Sequence, residues 1–77
     1  MDFVAICLCQ DIETKDIKYI CKEFYNNKGY YPKNSSEDIE ELINTLKNDS
    51  DLQLFNLEIL DITEIIDNNG ISLWNEI

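Results

Sequence analysis

The side chains in this sequence that could do chemistry are thiols and carboxylates, because it contains three cysteines, sixteen acids and no histidine. Without imidazole, the Ser-His-Asp and Cys-His nucleophile systems and the usual general acid or base are absent. Paired carboxylates can hydrolyse glycosides, but such an enzyme needs a substrate cleft that a chain of 77 residues can hardly build. The composition therefore predicts a protein that is not an enzyme.

The cysteines are Cys7, Cys9 and Cys21, an odd number that would leave one thiol unpaired in an oxidising compartment. Their spacing lacks the paired C-x2-C knuckles of structural zinc sites. We expect all three to be small buried apolar side chains in a reducing, cytoplasmic setting. A signal peptide is not predicted, because the N-terminal segment begins with the acid Asp2 and its apolar run Phe3–Cys9 is short. A membrane span is not predicted either, because no stretch approaches the roughly 18 apolar residues that a span requires.

A metal or phosphate site receives little support from the remaining motifs. Asp49-x-Asp51 resembles the opening of a calcium loop, but Leu54 and Leu60 stand where the glycine and glutamate of that loop are expected. A phosphate-cradling loop needs several glycines, and Gly29 and Gly70 are the only two in the chain. We therefore predict no metal and no cofactor.

The charge is distributed unevenly along the chain. Residues 1–33 carry five acids and five lysines, whereas residues 34–77 carry eleven acids and only Lys47, which accounts for the whole net charge of −10. Arginine is absent, so direct binding of nucleic acid or of an anionic membrane is disfavoured. A field of this sign attracts basic protein surfaces instead.

The candidate partner-binding residues are the carboxylates at the centre of the acidic half. They are Glu37, Asp38, Glu40, Glu41, Asp49 and Asp51. One interpretation is a solvated, solubilising surface. The other is a docking surface for a basic site on a partner, including one that ordinarily holds nucleic acid, since carboxylates can occupy phosphate-binding pockets. The leading hypothesis is an inhibitor or immunity-type protein, such as a phage anti-defence protein or an antitoxin.

A second hypothesis belongs to a different class of function. A core this small can leave an apolar face uncovered, and such a face can drive homodimerisation of a small structural or assembly subunit. The charge pattern alone does not decide between the two hypotheses.

The first half of the chain predicts a strand followed by a helix. Phe3–Cys9 is apolar on both alternating faces, which is typical of a strand covered on both sides. A helix capped by Thr14 is expected next, because Ile17, Ile20, Cys21 and Phe24 recur at helical spacing. This helix is expected to end at residues 27–29, where Gly29 can adopt the left-handed conformation.

The second half predicts one helix and a hairpin. Ser35 and Asp38 resemble a capping box that opens a helix ending near Asn48. A strand at 52–60, extending as far as 66, and a strand at 71–76 flank the Asn69-Gly70 turn; the alternative is a short helix at 61–68 in a mostly helical protein. The prediction is one α+β domain over residues 1–77, in the order strand, helix, helix, strand, strand, with both helices packed on a small sheet.

Overall fold

The order of the strands and helices along the chain differs from the predicted order. The computed structural model describes residues 2–25 and 31–74. The elements are β1 (Asp2–Asp11), β2 (Ile17–Tyr25), α1 (Ser36–Leu46), α2 (Ser50–Leu54) and β3 (Leu57–Ile66). The fold is α+β, but the observed order is strand, strand, helix, helix, strand. Both the predicted order and the mostly helical alternative are therefore wrong.

Strand β1 is the centre of an antiparallel sheet with the order β2-β1-β3. From Asp2 to Gln10 its side chains alternate between a half-buried and a buried environment. Phe3, Ala5, Cys7 and Cys9 point into the core, where α1 and α2 pack against the sheet. The predicted strand at 3–9 is thus confirmed, and one face of the sheet, called here the covered face, carries the helices.

Strand β2 occupies the segment for which a helix was predicted. Its residues pair in register with β1, so Ile20, Lys22 and Phe24 lie on the covered face and the residues between them lie on the other face. Because apolar residues occupy both faces of this strand, their positions also satisfy a helical spacing. The β-branched and aromatic side chains favour a strand. The predicted C-terminal cap at 27–29 lies outside the described residues.

A tight connection joins β1 to β2. The Asp11 carboxylate accepts hydrogen bonds from the backbone N–H groups of Glu13 and Thr14, both at 2.9 Å. These two bonds hold the pKa of Asp11 below its ordinary value. Lys15 adopts a left-handed φ of 65°. Thr14, the predicted helix cap, therefore lies in a turn between two strands.

Helix α1 confirms the second predicted helix and its cap. Ser35 Oγ accepts a hydrogen bond from the backbone N–H of Asp38 at 3.3 Å. The Asp38 carboxylate accepts from the N–H of Lys33 at 2.7 Å instead of closing the capping box on Ser35. Leu42 and Leu46 on the inner side of the helix are buried in the core.

Helix α2 was not predicted. Asp49 caps it, because its carboxylate accepts the backbone N–H groups of Asp51 and Leu52 at 2.9 and 3.1 Å. The helix buries Leu52 and ends before Asn56, which has a left-handed φ of 58°. The strand predicted from residue 52 consequently begins five residues later, at Leu57.

Strand β3 pairs with β1 through two irregularities of register. They lie opposite the Ile6–Cys7 and Leu8–Cys9 steps, where β3 has one extra residue each time. Such bulges move the buried positions of a strand out of strict alternation. The buried residues of β3 are Leu57, Ile59, Ile62 and Ile65. Their spacing of two and then three residues explains the mixed periodicity of this segment, and the helix considered at 61–68 is wrong.

The predicted turn after β3 exists, with a loop one residue longer than expected. Gly70 donates its N–H to the carbonyl of Asp67, and the N–H of Asp67 donates to the carbonyl of Ile71. Gly70 has a φ of 79°, a conformation that glycine adopts without strain. The strand predicted at 71–76 reduces to one bridge between Ile66 and Ser72 within the described residues, and 75–76 lie outside them.

Candidate functional site

The six predicted partner-binding carboxylates divide into two groups with different surroundings. Asp49 and Asp51 lie at the start of α2, opposite the covered face of β2. Lys22 Nζ on that face is 3.1 Å from Asp49 Oδ2 and 3.1 Å from Asp51 Oδ2. Both salt bridges found among residues 2–25 and 31–74 involve this lysine. The structure therefore pairs two of the six predicted acids with a lysine of the same molecule, although the Asp51 side chain stays 68% exposed.

Asp49 and Lys22 hold each other in their charged forms. Burial raises the pKa of Asp49, but the hydrogen bonds from Lys22 and from the Leu52 N–H outweigh it, so the pKa lies below its ordinary value. The hydrogen bond to Asp49 raises the pKa of Lys22 despite the opposing effect of burial. The side chains of the pair are only 18% and 22% exposed, so solvent screens it less than a surface pair.

The Asp49→Asn variant should separate the charge of Asp49 from its capping role, because asparagine also caps helices well. We expect the free energy of unfolding to fall by about 1 kcal/mol at pH 7. A depressed folded-state pKa stabilises the fold above the unfolded pKa of about 4, and this contribution is lost as the pH falls further. The difference between wild type and variant should therefore shrink between pH 5 and about pH 2 in urea denaturation curves. Asp51→Asn, at a carboxylate that is 68% exposed, is the control and should cost less.

The other group lies on α1, where three glutamates are exposed together. Glu37, Glu40 and Glu41 line a shallow depression with Asn44 and Thr45. Asp38 is half-buried and its carboxylate is engaged by the Lys33 N–H. The structure thus brings three of the six predicted residues together on one solvent-exposed surface, and none of the three forms a salt bridge with another described residue.

The cysteines divide between the two faces of the sheet. Cys7 and Cys9 are fully buried on the covered face, as predicted, and burial raises the pKa of Cys7 to about 12 and that of Cys9 above its ordinary value. A thiol with so high a pKa is a poor nucleophile and a poor metal ligand. Cys21 was also expected to be buried, but it is exposed, because β2 directs it to the face opposite the helices.

That opposite face, called here the open face, is the largest feature that the sequence reasoning missed. The apolar positions on it are Val4, Ile6 and Leu8 of β1, Ile17, Tyr19, Cys21 and Tyr25 of β2, and Ile66 of β3. All the β2 members are exposed, and the β1 members and Ile66 are half-buried. Within the described residues both helices pack on the covered face, so this apolar layer faces solvent.

Carboxylates border the open face on its β3 side. Glu58, Asp61 and Glu64 lie there, directly opposite Gln10, Leu8 and Ile6 of β1. Asp2 and Glu23 lie at other positions of the same face, and no strand position on it is a lysine. The alternation of Leu57, Glu58 and Ile59 indicates that Glu58 lies on the face opposite the core. The bulges beyond Ile59 interrupt this alternation, so the sequence did not show that Asp61 and Glu64 lie on the same face.

Other kinds of site find little support in residues 2–25 and 31–74. No group of three or more cysteines or acids there is arranged to hold a metal ion. A cleft of about 570 Å³ lies between α2 and the start of β3, with Leu46, Leu52 and Ile59 in its wall. These three side chains are buried, and the exposed part of the wall is formed by other residues, among them Ile12 at 48% exposed. Neither described helix has the length and hydropathy of a membrane span.

Compared with known proteins, the chain matches no protein-family model, no curated protein and no solved structure.

Proposed function

We propose that this protein is a non-enzymatic, acidic binding protein that occupies a basic site on a partner protein, in the manner of an inhibitor or an antitoxin. The observation that supports this proposal is that few of the described acidic side chains form a salt bridge with a lysine of the same molecule. Among the described residues, Lys22 forms the salt bridges, and the carboxylates of α1 and of the β3 border of the open face lie outside them.

In the part of the chain that the structure describes, the carboxylates on these two surfaces form no salt bridge, so no neighbouring cation there cancels their negative field. Such a field steers basic partners and accelerates association, and its effect falls as salt is added. A partner site that ordinarily holds phosphate groups suits regularly spaced carboxylates, because arginine and lysine bind both groups through the same charge-assisted hydrogen bonds. A reducing cytoplasmic setting is consistent with the buried thiols of Cys7 and Cys9.

Affinity capture tests the proposal directly. The full chain is immobilised and exposed to a lysate of the cells that express it, in parallel with a variant that loses six carboxylates. The six are Glu37, Glu40, Glu41, Glu58, Asp61 and Glu64, each changed to its amide. We expect wild type to retain a basic protein that the variant does not, and we expect about 0.5 M salt to release it.

The control changes acids away from both surfaces. Glu13→Gln and Asp16→Asn remove two exposed charges in the connection between β1 and β2 and should leave capture intact. Capture that withstands both the six changes and the salt would show that acidic recognition is not what this protein does. Circular dichroism of each variant confirms that it is folded.

A second function is favoured by the open face. An apolar sheet layer exposed to solvent is typical of an interface, since monomers rarely leave a large contiguous apolar patch uncovered. The protein would then be a small assembly subunit that homodimerises through this face. Sedimentation at micromolar concentration tests this second function, because a protein that stays monomeric cannot act through homodimerisation.

A further inference from the structure

We infer that the open face is the docking surface for a basic amphipathic helix of a partner protein, whose apolar side lies on β1 and β2 and whose lysines and arginines meet the acids of β3. This inference rests on the proposed function and locates it: it assigns the contact to the sheet, whereas the sequence pointed to the acids of α1 and α2. Three observations support it: the exposure of the apolar side chains, the charge of the strand positions on this face, and the dimensions of the sheet.

Exposure identifies the apolar part of the surface. Ile17, Tyr19 and Tyr25 are 57%, 65% and 79% exposed although they lie in a regular strand. Tyrosine combines a large apolar area with a polar tip and is enriched at binding interfaces. In β1, Ile6 and Leu8 continue the apolar layer toward the centre of the sheet. Covering this layer removes apolar surface from water, which supplies the affinity.

Charge selects a basic partner over a second copy of the chain. Two copies packed face to face about a two-fold axis place β3 against either β3 or β2 of the other copy. The β3 positions on this face hold Glu58, Asp61 and Glu64, and the β2 positions hold Glu23 but no lysine. Either arrangement buries carboxylates without a cation from the strands, which is unfavourable. A partner that supplies lysine or arginine opposite β3 removes this penalty.

Size favours a helix as the occupant. Strands of nine or ten residues are about 30 Å long, and three adjacent strands span about 10 to 15 Å. A helix of about 20 residues is about 30 Å long and 10 to 12 Å wide. Laid along β1, such a helix covers the apolar centre and reaches the acidic border with one flank.

A defined probe tests the inference on the full chain. The probe is a fluorescently labelled synthetic peptide of about 20 residues, with leucine at helical spacing on one side and lysine on the other. Binding is followed by fluorescence anisotropy to wild type and to two variants with the same net charge. The sheet variant is Glu58→Gln, Asp61→Asn and Glu64→Gln, and the helix variant is Glu37→Gln, Glu40→Gln and Glu41→Gln.

We expect the sheet variant to bind about tenfold more weakly than wild type and the helix variant to change by less than about threefold. The apolar contact is tested with Tyr19→Ser, which should also weaken binding. Cys21 supplies an independent readout, because it is exposed on the open face beside Ile6 of β1, whereas Cys7 and Cys9 are buried. Saturating peptide should slow alkylation of Cys21 at least about tenfold, since the thiolate must reach the reagent.

Three results would overturn the inference. Equal weakening in both triple variants would mean that the peptide responds to net charge alone; the proposed function would stand and its location on the sheet would not. Unchanged affinity in both variants and in high salt would contradict the acidic recognition as well. Protection of Cys21 that increases with protein concentration in the absence of peptide, together with dimers in sedimentation, would mean that a second copy covers the face.

Discussion

Replacing Ile65 by alanine is expected to lower the free energy of unfolding by about 3 to 4 kcal/mol, near the upper part of the range for a fully enclosed aliphatic side chain. Ile65 is 0% exposed and lies in register with Ala5, which is also 0% exposed. Because the side chain of Ala5 is only a methyl group, it cannot extend into a cavity created at the paired position 65. A domain of this size has a total stability of about 5 kcal/mol, so the variant should be close to unfolding at 37 °C.

The matched control is Ile17→Ala on the open face, where the same residue type is 57% exposed. It should cost less than about 1 kcal/mol, because little apolar surface returns to water. Urea denaturation followed by far-UV circular dichroism gives both values. Equal losses at the two positions would mean that the open face is covered in solution, and the two-sided description of the sheet would have to be abandoned.

The apolar open face also explains why β2 was predicted as a helix. In a strand with one solvated face, polar residues alternate with apolar ones and the period of two is visible. Here Ile17, Tyr19 and Cys21 add apolar residues on the solvent side to Ile20 and Phe24 on the core side. Taken together, the apolar positions on the two faces fit the spacing of a helix as well as that of a strand. Apolar residues on the solvent side of a strand therefore weaken the period-of-two pattern from which strands are predicted.

The two bulges of β3 hid the last strand in a different way. Its first buried pair, Leu57 and Ile59, keeps the period of two, and that part was predicted as a strand. Beyond Ile59 each bulge inserts one residue, so Ile62 and Ile65 follow at intervals of three. A register shift depends on pairing with β1, which is a long-range contact that local spacing does not report. By contrast, the cap at Ser35 and the turn at Asp67–Gly70 depend on neighbouring residues, and both were predicted.

The candidate site was predictable to the extent that it depends on composition. The excess of acids in the second half does lie mainly on the surface, and Glu37, Glu40 and Glu41 do form one exposed group. The pairing of Asp49 and Asp51 with Lys22 was not predictable, because it joins residues 27 and 29 positions apart through the packing of α2 on the sheet. The prediction treated both acids as unpaired, whereas the tertiary contact pairs them with Lys22.

Trp74→Ala is expected to be the most damaging single change near the C-terminal end of the described chain, with a loss of about 3 to 5 kcal/mol. Trp74 is 9% exposed, belongs to the core cluster, and its Nε1–H donates to the carbonyl of Pro32 at 2.7 Å. The indole thus joins the segment after the Asp67–Gly70 turn to the segment that leads into α1. The alanine variant loses the apolar contact and leaves the Pro32 carbonyl without its donor.

Trp74→Phe separates these two contributions, because phenylalanine keeps an aromatic ring and lacks the donor. We expect it to cost about 1 to 2 kcal/mol, the range for one lost hydrogen bond with a small loss of volume. Tyr25→Ala, at a side chain that is 79% exposed, is the control and should change stability by about 0.5 kcal/mol or less. Because Trp74 is the only tryptophan, all variants are compared by far-UV circular dichroism in urea, and wild-type fluorescence independently reports the burial of the indole. Two results would contradict this prediction: a loss below about 1 kcal/mol for Trp74→Ala, or wild-type emission typical of a solvated indole. Either result would mean that Trp74 is not in the core and that the segment around it does not pack on the rest of the fold.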